Sequence, residues 1–242
     1  LIIEEHYEIL EEAIRQGIAK DLELRYNSNG VEWREDLFDL WKEFKLVRFH
    51  YSVDSILEMN SYIRYPSEWT RTEEVFHILD TETSNNVEVT VACAVQALNI
   101  YYLPDFIKWK LNKKFNKINM WPFGAGGVNY HFVYHPPHLN VKILPESFKI
   151  QCRKKYEEFY PWWEANWELG IPTWHQGKVN KEQFMSAGYG LNRLEGMLKF
   201  MESEDWSVRL PEMKEFIALC DKQRGNSFAE TFPKMKDIFR DV

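Results

Sequence analysis

The sequence predicts an α/β fold in which parallel strands alternate with helices. Three strand-like runs span residues 21–26, 46–53 and 87–95. Polar turns and segments with helical spacing separate these runs. This alternation is typical of a parallel sheet rather than of a β-sandwich or a helical bundle. The third run, VEVTVACAV, is the clearest strand in the sequence.

A helix opens the chain. Apolar residues recur at helical spacing at Ile3, Tyr7, Leu10 and Ile14, and Gly17 ends the helix. The first strand follows directly. A helix that leads into a strand through a short glycine-containing link is the second half of a β/α repeat. We therefore expect the chain to be a piece of a larger α/β protein whose first strands precede it.

The same alternation continues along the chain. Helical spacing resumes at residues 37–44, and a loop and helix follow over 55–80, where Pro66 is expected to break the helix or to start a new one. Pro104 opens another helix, since proline favours the first helical turn. Residues 129–134 are predicted to form a fourth strand. Because ligands of parallel α/β folds bind at the carboxyl ends of the strands, we expect the binding site there.

We place a soft domain boundary near Pro145. Residues 1–145 are expected to form a barrel-like part, and residues 146–242 a mainly helical extension. Long patterns of helical spacing dominate the extension. They span residues 146–160, 180–202 and 211–222.

Composition restricts the class of protein. The chain has 242 residues, of which 45% are hydrophobic and 28% charged, as in an ordinary globular protein. Its formal charge of -7 argues against non-specific binding to nucleic-acid phosphates, which needs a cationic surface. No apolar run approaches the roughly 20 residues that span a bilayer. Cys93, Cys152 and Cys220 are too widely separated for a disulfide framework, so we expect a cytoplasmic protein without a membrane partner.

An ordered set of segments resembles the radical S-adenosylmethionine (radical SAM) enzymes that contain a twitch domain. The segments are LIIEEHYEIL, YNSNG, HYSVDS, YIRYPSEW, NIYYLPDFIKW and the closing LPEMKEFIALCDKQRGNSFAETFPKM. The resemblance lies in their order rather than in any one of them. It implies an incomplete parallel (β/α) barrel of the radical SAM type that lacks its first strands and is followed by the helical extension.

The resemblance also implies an activity. Enzymes of this family hold S-adenosylmethionine against a [4Fe–4S] cluster, cleave it reductively to a 5′-deoxyadenosyl radical and abstract hydrogen from a substrate. The substrate stays open, and peptides are among the targets of such enzymes. The family's C-x3-C-x2-C cluster motif and Gly-Gly-Glu-Pro turn are absent from this sequence, and no accessory-cluster cysteines are visible. The resemblance implies that the chain begins just after that turn, so the cluster ligands are expected outside the chain and the fragment alone is expected to be inactive.

Ser52 and Asp54 are the first candidate binding residues. They lie two positions apart at a strand end, so both side chains can point to the same side. The resemblance places such a pair beside the ribose of the cofactor, and a hydroxyl and a carboxylate can both accept hydrogen bonds from a diol. The alternative is that Ser52 or Asp54 caps the amino end of the next helix.

Four further residues complete the candidate cofactor site. The resemblance matches Arg64 to an arginine that faces the cofactor carboxylate, and a guanidinium can pair with a carboxylate through two hydrogen bonds. The alternative is an exposed or locally paired arginine. Asn27 and Asn29 match an asparagine-rich strand end near the cofactor, but asparagine also forms turns. Asn99 either contacts the cofactor or caps the next helix.

The role of three histidines and the choice between two functions stay open. His131 and His135 have spacing for one face of a strand and His138 follows two prolines, but no cysteine or clear acidic partner completes a zinc site, so none is predicted. They remain possible substrate contacts in the intact enzyme. The alternative function is a non-catalytic α/β binding module with a nucleotide-like ligand groove.

Overall fold

Four parallel strands form one sheet in the computed structural model, in the order β1-β2-β3-β4. The structure describes residues 1, 3–118, 128–171, 180–182 and 191–240. The strands are β1 (Glu23–Ser28), β2 (Leu46–Ser52), β3 (Val87–Val95) and β4 (Val128–Phe132). The predicted α/β class with a parallel sheet is confirmed. A barrel is not shown by the described residues, in which the sheet ends at β1 and at β4.

Nine α-helices are described around this sheet. They are α1 (Glu4–Arg15), α2 (Leu37–Lys42), α3 (Leu57–Ile63), α4 (Trp69–Thr81), α5 (Leu103–Asn112), α6 (Glu146–Ala165), α7 (Leu191–Glu202), α8 (Leu210–Arg224) and α9 (Phe228–Thr231). Pro66 separates α3 from α4 and Pro104 lies in the first turn of α5, as predicted. Among these helices, none combines the length and apolar character needed to cross a membrane.

The bounds of three predicted strands differ from the structure. The second strand, β2, ends at Ser52, one residue before its predicted end. A short 3-10 helix at Ala19–Asp21 occupies the start of the first predicted strand, so β1 begins at Glu23 and continues to Ser28. Asn27 therefore lies within a strand and not in a turn. The fourth strand starts one residue earlier than predicted and ends at Phe132. The part of the predicted 180–202 helix that covers residues 183–190 lies outside the described residues.

Helices cover one face of the sheet. Alternate residues of β2 are buried on this face, and Phe49 and Tyr51 are almost inaccessible to solvent. The ring of Tyr51 packs edge-on against Phe76 of α4, and its hydroxyl donates to the carbonyl oxygen of Thr72 at 2.9 Å. Phe49 packs against Trp41 of α2. Burial of these large side chains is the main force that holds the helices to the sheet.

The two predicted parts share one hydrophobic core, which extends from Tyr7 to Ile238. In α6, the hydroxyl of Tyr156 donates to the carbonyl oxygen of Ile100 at 2.8 Å. The helical extension therefore packs directly on the strand-containing part. The boundary near Pro145 stays a prediction.

Candidate functional site

The second face of the sheet is polar and partly open to solvent. We call it the open face, and it consists of Glu23, Arg25 and Asn27 of β1, Leu46, Arg48, His50 and Ser52 of β2, Glu88, Thr90, Ala92 and Ala94 of β3, and Asn129 and His131 of β4. All of these except Thr90 are at least partly exposed. Parallel sheets are usually covered by helices on both faces. An exposed polar face on a parallel sheet is therefore an unusual surface that suits a ligand.

Ion pairs occupy the amino end of the open face. Arg48 donates from Nη1 to Glu23 and from Nε to Glu88, each at 3.0 Å. These side chains are partly exposed, so each pair contributes little to stability. Their chemical effect is that both carboxylates of the open face are paired with Arg48.

His50 lies at the centre of the open face. Its Nδ1 atom is 2.7 Å from the Thr90 hydroxyl oxygen, and this hydrogen bond fixes the ring orientation. Partial burial lowers the pKa of His50, and electrostatic interactions with His131, Arg25 and Arg48 lower it further. The imidazole is therefore held mainly neutral at pH 7 and can accept or donate a hydrogen bond.

Asn27 and Ser52 occupy the carboxyl end of the open face. Asn27 pairs in register with His50, and Ser52 is the last residue of β2 on the same side. Neither side chain has a hydrogen-bonding partner among the described residues. Ala92 and Ala94 follow on β3, where their small side chains leave the sheet backbone close to the surface. A polar ligand can approach this end of the sheet without displacing an existing hydrogen bond.

Asp54 and Arg64 lie beside the open face and bind each other. Arg64 Nε is 2.9 Å from Asp54 Oδ2, and Arg64 Nη2 donates to Oδ1 at 3.0 Å. The backbone N–H of Ala94 also donates to Oδ1, at 2.6 Å. The Asp54 side chain is 4% exposed and that of Arg64 24%. Burial raises the pKa of Asp54, while the charge of Arg64 opposes this shift.

This geometry bears on the alternatives for these two residues. In the structure, Arg64 is locally paired with Asp54. Asp54 does not cap the next helix, because the cap position of α3 is Ile56 and no side chain caps that helix. A direct contact of Asp54 or Arg64 with a cofactor stays a prediction.

Two buried asparagines hold the backbone around Asp54. Asn99 Nδ2 donates to the carbonyl oxygens of Asp54 and Ala94, each at 2.9 Å, and its Oδ1 accepts from Gln96 N–H at 2.8 Å. Asn60 Oδ1 accepts from Asp54 N–H at 3.0 Å. We call Asp54, Asn60, Arg64, Ala94 and Asn99 the Asp54 cluster. It fixes the carboxyl ends of β2 and β3 relative to each other.

The structure does not show Asn99 as a helix cap, and its contact with a cofactor stays a prediction. Its amide is fully buried, and the following 3-10 helix at Ile100–Tyr102 has no side-chain cap. It joins the ends of two strands instead. Asn60 was missed by sequence reasoning, because a single asparagine within a short helix carries no signal of a long-range backbone contact.

Asn29 lies in the turn that follows β1. Its Oδ1 accepts from Val31 N–H and its Nδ2 donates to Ser67 Oγ, both at 3.5 Å. Ser28 Oγ accepts from Gly30 N–H at 3.0 Å. Gly30 has φ 59°, and an added Cβ would lie 3.2 Å from the Val75 side chain, so the turn requires glycine. Turn formation accounts for Asn29, and its cofactor role stays a prediction.

The structure thus divides the six predicted residues into three places. Asn27 and Ser52 lie on the open face, Asp54, Arg64 and Asn99 form the adjoining cluster, and Asn29 forms a turn. Sequence reasoning missed the other polar residues of the open face. Their signal was the alternation of apolar and polar residues in β2 from Val47 to Ser52, which reads Val-Arg-Phe-His-Tyr-Ser.

The predicted histidines do not converge. His131 is exposed on the open face, His135 lies beyond the end of β4, and the His138 ring packs against Phe216 with centroids 4.9 Å apart. In the part of the chain that the structure describes, no group of three or more His, Cys, Asp or Glu side chains could hold a metal ion. The three cysteines are buried free thiols. These residues do not fit the ligand set of an iron–sulfur cluster.

Replacing Asn99 with leucine is expected to lower the free energy of unfolding by about 2–4 kcal/mol. The change leaves the carbonyl oxygens of Asp54 and Ala94 without their buried donor, and each unsatisfied group costs about 1–3 kcal/mol. Urea denaturation would measure the loss. Asn112→Leu, at the exposed end of α5, is the matched control. Equal effects in the two variants would show that Asn99 does not brace the strand ends.

The open face and the Asp54 cluster are the evidence on function that this chain itself provides. The resemblance to radical SAM enzymes rests on the sequence segments alone. No family model, curated protein or solved structure matches the chain.

Proposed function

We propose that this chain is the carboxyl-terminal part of a radical SAM enzyme and that its open face holds S-adenosylmethionine and the substrate. The observation that carries the proposal is the polar carboxyl end of the open face. There Asn27 and Ser52 present side chains that have no hydrogen-bonding partner among the described residues. Carboxyl ends of parallel strands are where α/β folds bind their ligands.

The chemistry of these two residues suits an adenosyl ligand. The Ser52 hydroxyl can both accept and donate a hydrogen bond, and the Asn27 amide offers one acceptor and two donors. We assign them to the ribose hydroxyls and to other polar edges of the adenosyl group. When bound beside its cluster, S-adenosylmethionine would supply the radical chemistry that the resemblance implies.

The Asp54 cluster acts in this proposal by positioning. The Asp54 carboxylate binds Ala94 N–H and Arg64, so it fixes the floor of the open face at Ala94 rather than reaching the ligand. Asn99 fixes the same strand from its carbonyl side. Preorganised backbone reduces the conformational entropy that ligand binding would otherwise cost.

The proposal places the ligands of the [4Fe–4S] cluster outside this chain. The family's cysteine motif is absent from the sequence, and Cys93, Cys152 and Cys220 are buried. No chemical step is therefore assigned to a cluster held by this chain. The chain's part is to bind, orient and shield the ligands.

The alternative is a non-catalytic binding module with a nucleotide-like groove. The observation that favours it is the Asp54–Arg64 pair, because two of the six predicted cofactor contacts already satisfy each other. Both functions use the same open face. They differ in whether cluster ligands accompany the chain in the full-length protein.

The coding sequence upstream of Leu1 distinguishes the two functions. The radical SAM proposal predicts a Gly-Gly-Glu-Pro turn directly before Leu1 and a C-x3-C-x2-C motif further upstream. Sequencing of the transcript would measure this. A stop codon or an unrelated sequence at that place would overturn the enzyme assignment and favour the binding module.

S-adenosylmethionine binding tests the site itself. Ser52→Ala and Asn27→Ala in the full-length protein are each expected to weaken binding about threefold to tenfold, because each removes a hydrogen bond of roughly 0.5–1.5 kcal/mol. Isothermal titration calorimetry measures the dissociation constant. The matched control is Asn85→Ala, an exposed residue in the turn before β3 at the opposite end of the sheet. Equal dissociation constants for all four proteins would place the ligand elsewhere.

A further inference from the structure

Three side chains in mutual contact join α1 to the sheet and to α2. His6 Nε2 lies 3.2 Å from the Tyr26 hydroxyl oxygen, and Trp41 Nε1 donates to the same oxygen, also at 3.2 Å. His6 lies on α1, Tyr26 on β1 and Trp41 on α2. Tyr26 and Trp41 are buried, whereas His6 is partly exposed. The Tyr26 hydroxyl is therefore the point at which these three elements meet.

The hydrogen atoms of this contact have one consistent arrangement. An indole N–H donates and cannot accept, so the Tyr26 oxygen accepts from Trp41. Burial raises the pKa of Tyr26 to about 12, so the hydroxyl keeps its own hydrogen at neutral pH. Within the described part of the chain, His6 Nε2 is the acceptor in reach of that hydrogen. Nε2 therefore accepts, and the neutral ring of His6 carries its hydrogen on Nδ1.

Protonation of His6 disrupts this arrangement. It places a hydrogen on Nε2, so the Tyr26 hydroxyl loses its acceptor, and a buried donor without an acceptor costs free energy. Burial lowers the pKa of His6, and the positive amino terminus of Leu1 lowers it further. Among the groups of the described residues that shift this pKa there is no carboxylate. The surroundings of the ring therefore favour its neutral form.

The other charged groups around α1 titrate in a different range of pH. Arg34 contacts Glu4 and Glu11 of α1. It also pairs with Asp36, the residue before α2. Tyr7 accepts from the backbone N–H of Arg34 at 2.8 Å and faces the histidine ring edge-on. Because carboxylates ordinarily titrate near pH 4, these contacts persist while a histidine titrates.

We propose that His6, Tyr26 and Trp41 form an acid-sensitive latch, in which neutral His6 holds α1 on the sheet and protonated His6 releases it. The inference does not rest on the proposed function. Within the described residues the sheet ends at β1, so α1 is held against an edge strand. Release of α1 uncovers Tyr26 on that strand. The latch is closed at neutral pH and opens in acid.

The direction of the pH dependence follows from the two states of α1. In the open state His6 is exposed and regains the ordinary pKa of 6.5, whereas in the closed state its pKa is lower. The stability that neutral His6 contributes is therefore fully present above pH 6.5 and is lost as the pH falls through the pKa of the closed state. The equilibrium constant for opening rises about tenfold for each unit between the two pKa values.

Nitrogen nuclear magnetic resonance of the histidine rings in the full-length protein tests the latch directly. His6→Gln assigns the signals of His6. At pH 7.5 we expect Nδ1 to carry the hydrogen and Nε2 to be an acceptor, and we expect the pKa of His6 to lie below 6.5. A hydrogen on Nε2 at pH 7.5, or a pKa of 6.5 or above, would refute the proposal.

Amide hydrogen exchange of α1 measures its release. Between pH 7.5 and pH 5.5 the opening constant of wild-type α1 should rise by the factor that the measured pKa of His6 sets. His6→Gln should show no such rise, because the glutamine amide oxygen still accepts from Tyr26 and does not titrate. The matched control is His77→Gln, an exposed histidine of α4, which should behave like the wild-type protein. The same pH dependence in His6→Gln and wild-type protein would show that His6 does not hold α1.

Tyr26→Phe separates the hydrogen bond from burial. The variant keeps the ring but removes the hydroxyl that donates to His6, so the pKa of His6 should rise toward 6.5. An unchanged pKa in folded Tyr26→Phe protein would show that burial alone sets the titration, and the latch would be rejected. The position of the ring hydrogen in the wild-type protein decides the proposal if this variant does not fold.

Discussion

Replacing Asp54 with alanine is expected to lower the free energy of unfolding by about 3–5 kcal/mol, the usual cost of breaking a buried ion pair from one side. The change leaves the Arg64 guanidinium without its counter-charge and Ala94 N–H without its acceptor. It does not alter the helix-facing core. Urea denaturation at pH 7 measures the loss.

Two further variants identify the cause of that loss. Asp39→Ala removes a carboxylate that is 76% exposed and pairs with a neighbouring lysine on α2, so a loss below about 1 kcal/mol is expected. Arg64→Met combined with Asp54→Ala should recover part of the stability, because no charge is then left unpaired. A double variant as unstable as Asp54→Ala would show that the ion pair is not what the single change destroys.

The same variant has a functional consequence. The Asp54 carboxylate holds Ala94 on the floor of the open face, so its loss is expected to weaken ligand binding as well as stability. Ligand binding should then fall in Asp54→Ala even at temperatures where the protein stays folded. An unchanged affinity would limit the role of the Asp54 cluster to stability.

The strands could be predicted because their signal is local. In β2, apolar residues alternate with others, and this period of two shows both the strand and its two faces. In β3, a long apolar run with β-branched residues gave the same answer. The error at β1 arose because residues 19–21 carry no pattern that separates a 3-10 turn from the start of a strand.

The candidate site was only partly predictable, since its contacts are long-range. Ser52 and Asp54 are two positions apart, and the sequence placed both on one side of an extended strand. The strand ends at Ser52, so Asp54 lies beyond it, and its carboxylate binds Ala94, which is 40 positions further on. Such a contact depends on the register between β2 and β3, which no local pattern specifies. The contacts of Arg64 and Asn99 in the Asp54 cluster were not predicted either, because they are also long-range.

Replacing Lys110 with methionine is expected to raise the free energy of unfolding at pH 7 by about 2–4 kcal/mol, because an apolar side chain of similar length removes the cost of burying an amine. Lys110 lies on α5 and is 3% exposed. Burial lowers its pKa from 10.5 to about 7, although the negative charge of Asp80 opposes the shift. At pH 7 the unfolded chain therefore holds a proton that about half of the folded molecules have released.

The pH dependence of this gain follows from the sign of the shift. Between pH 7 and 10.5 the unfolded state binds more protons at Lys110 than the folded state, so wild-type stability rises with pH by about 1.4 kcal/mol per unit from this group. The methionine variant lacks that slope, and its advantage should shrink steadily toward pH 10. Lys154→Met, at a lysine of α6 that is 77% exposed, is the control and should show no such trend. An advantage that stays constant from pH 7 to pH 10 would mean that Lys110 keeps an ordinary pKa in the folded protein and that its burial carries no ionisation cost.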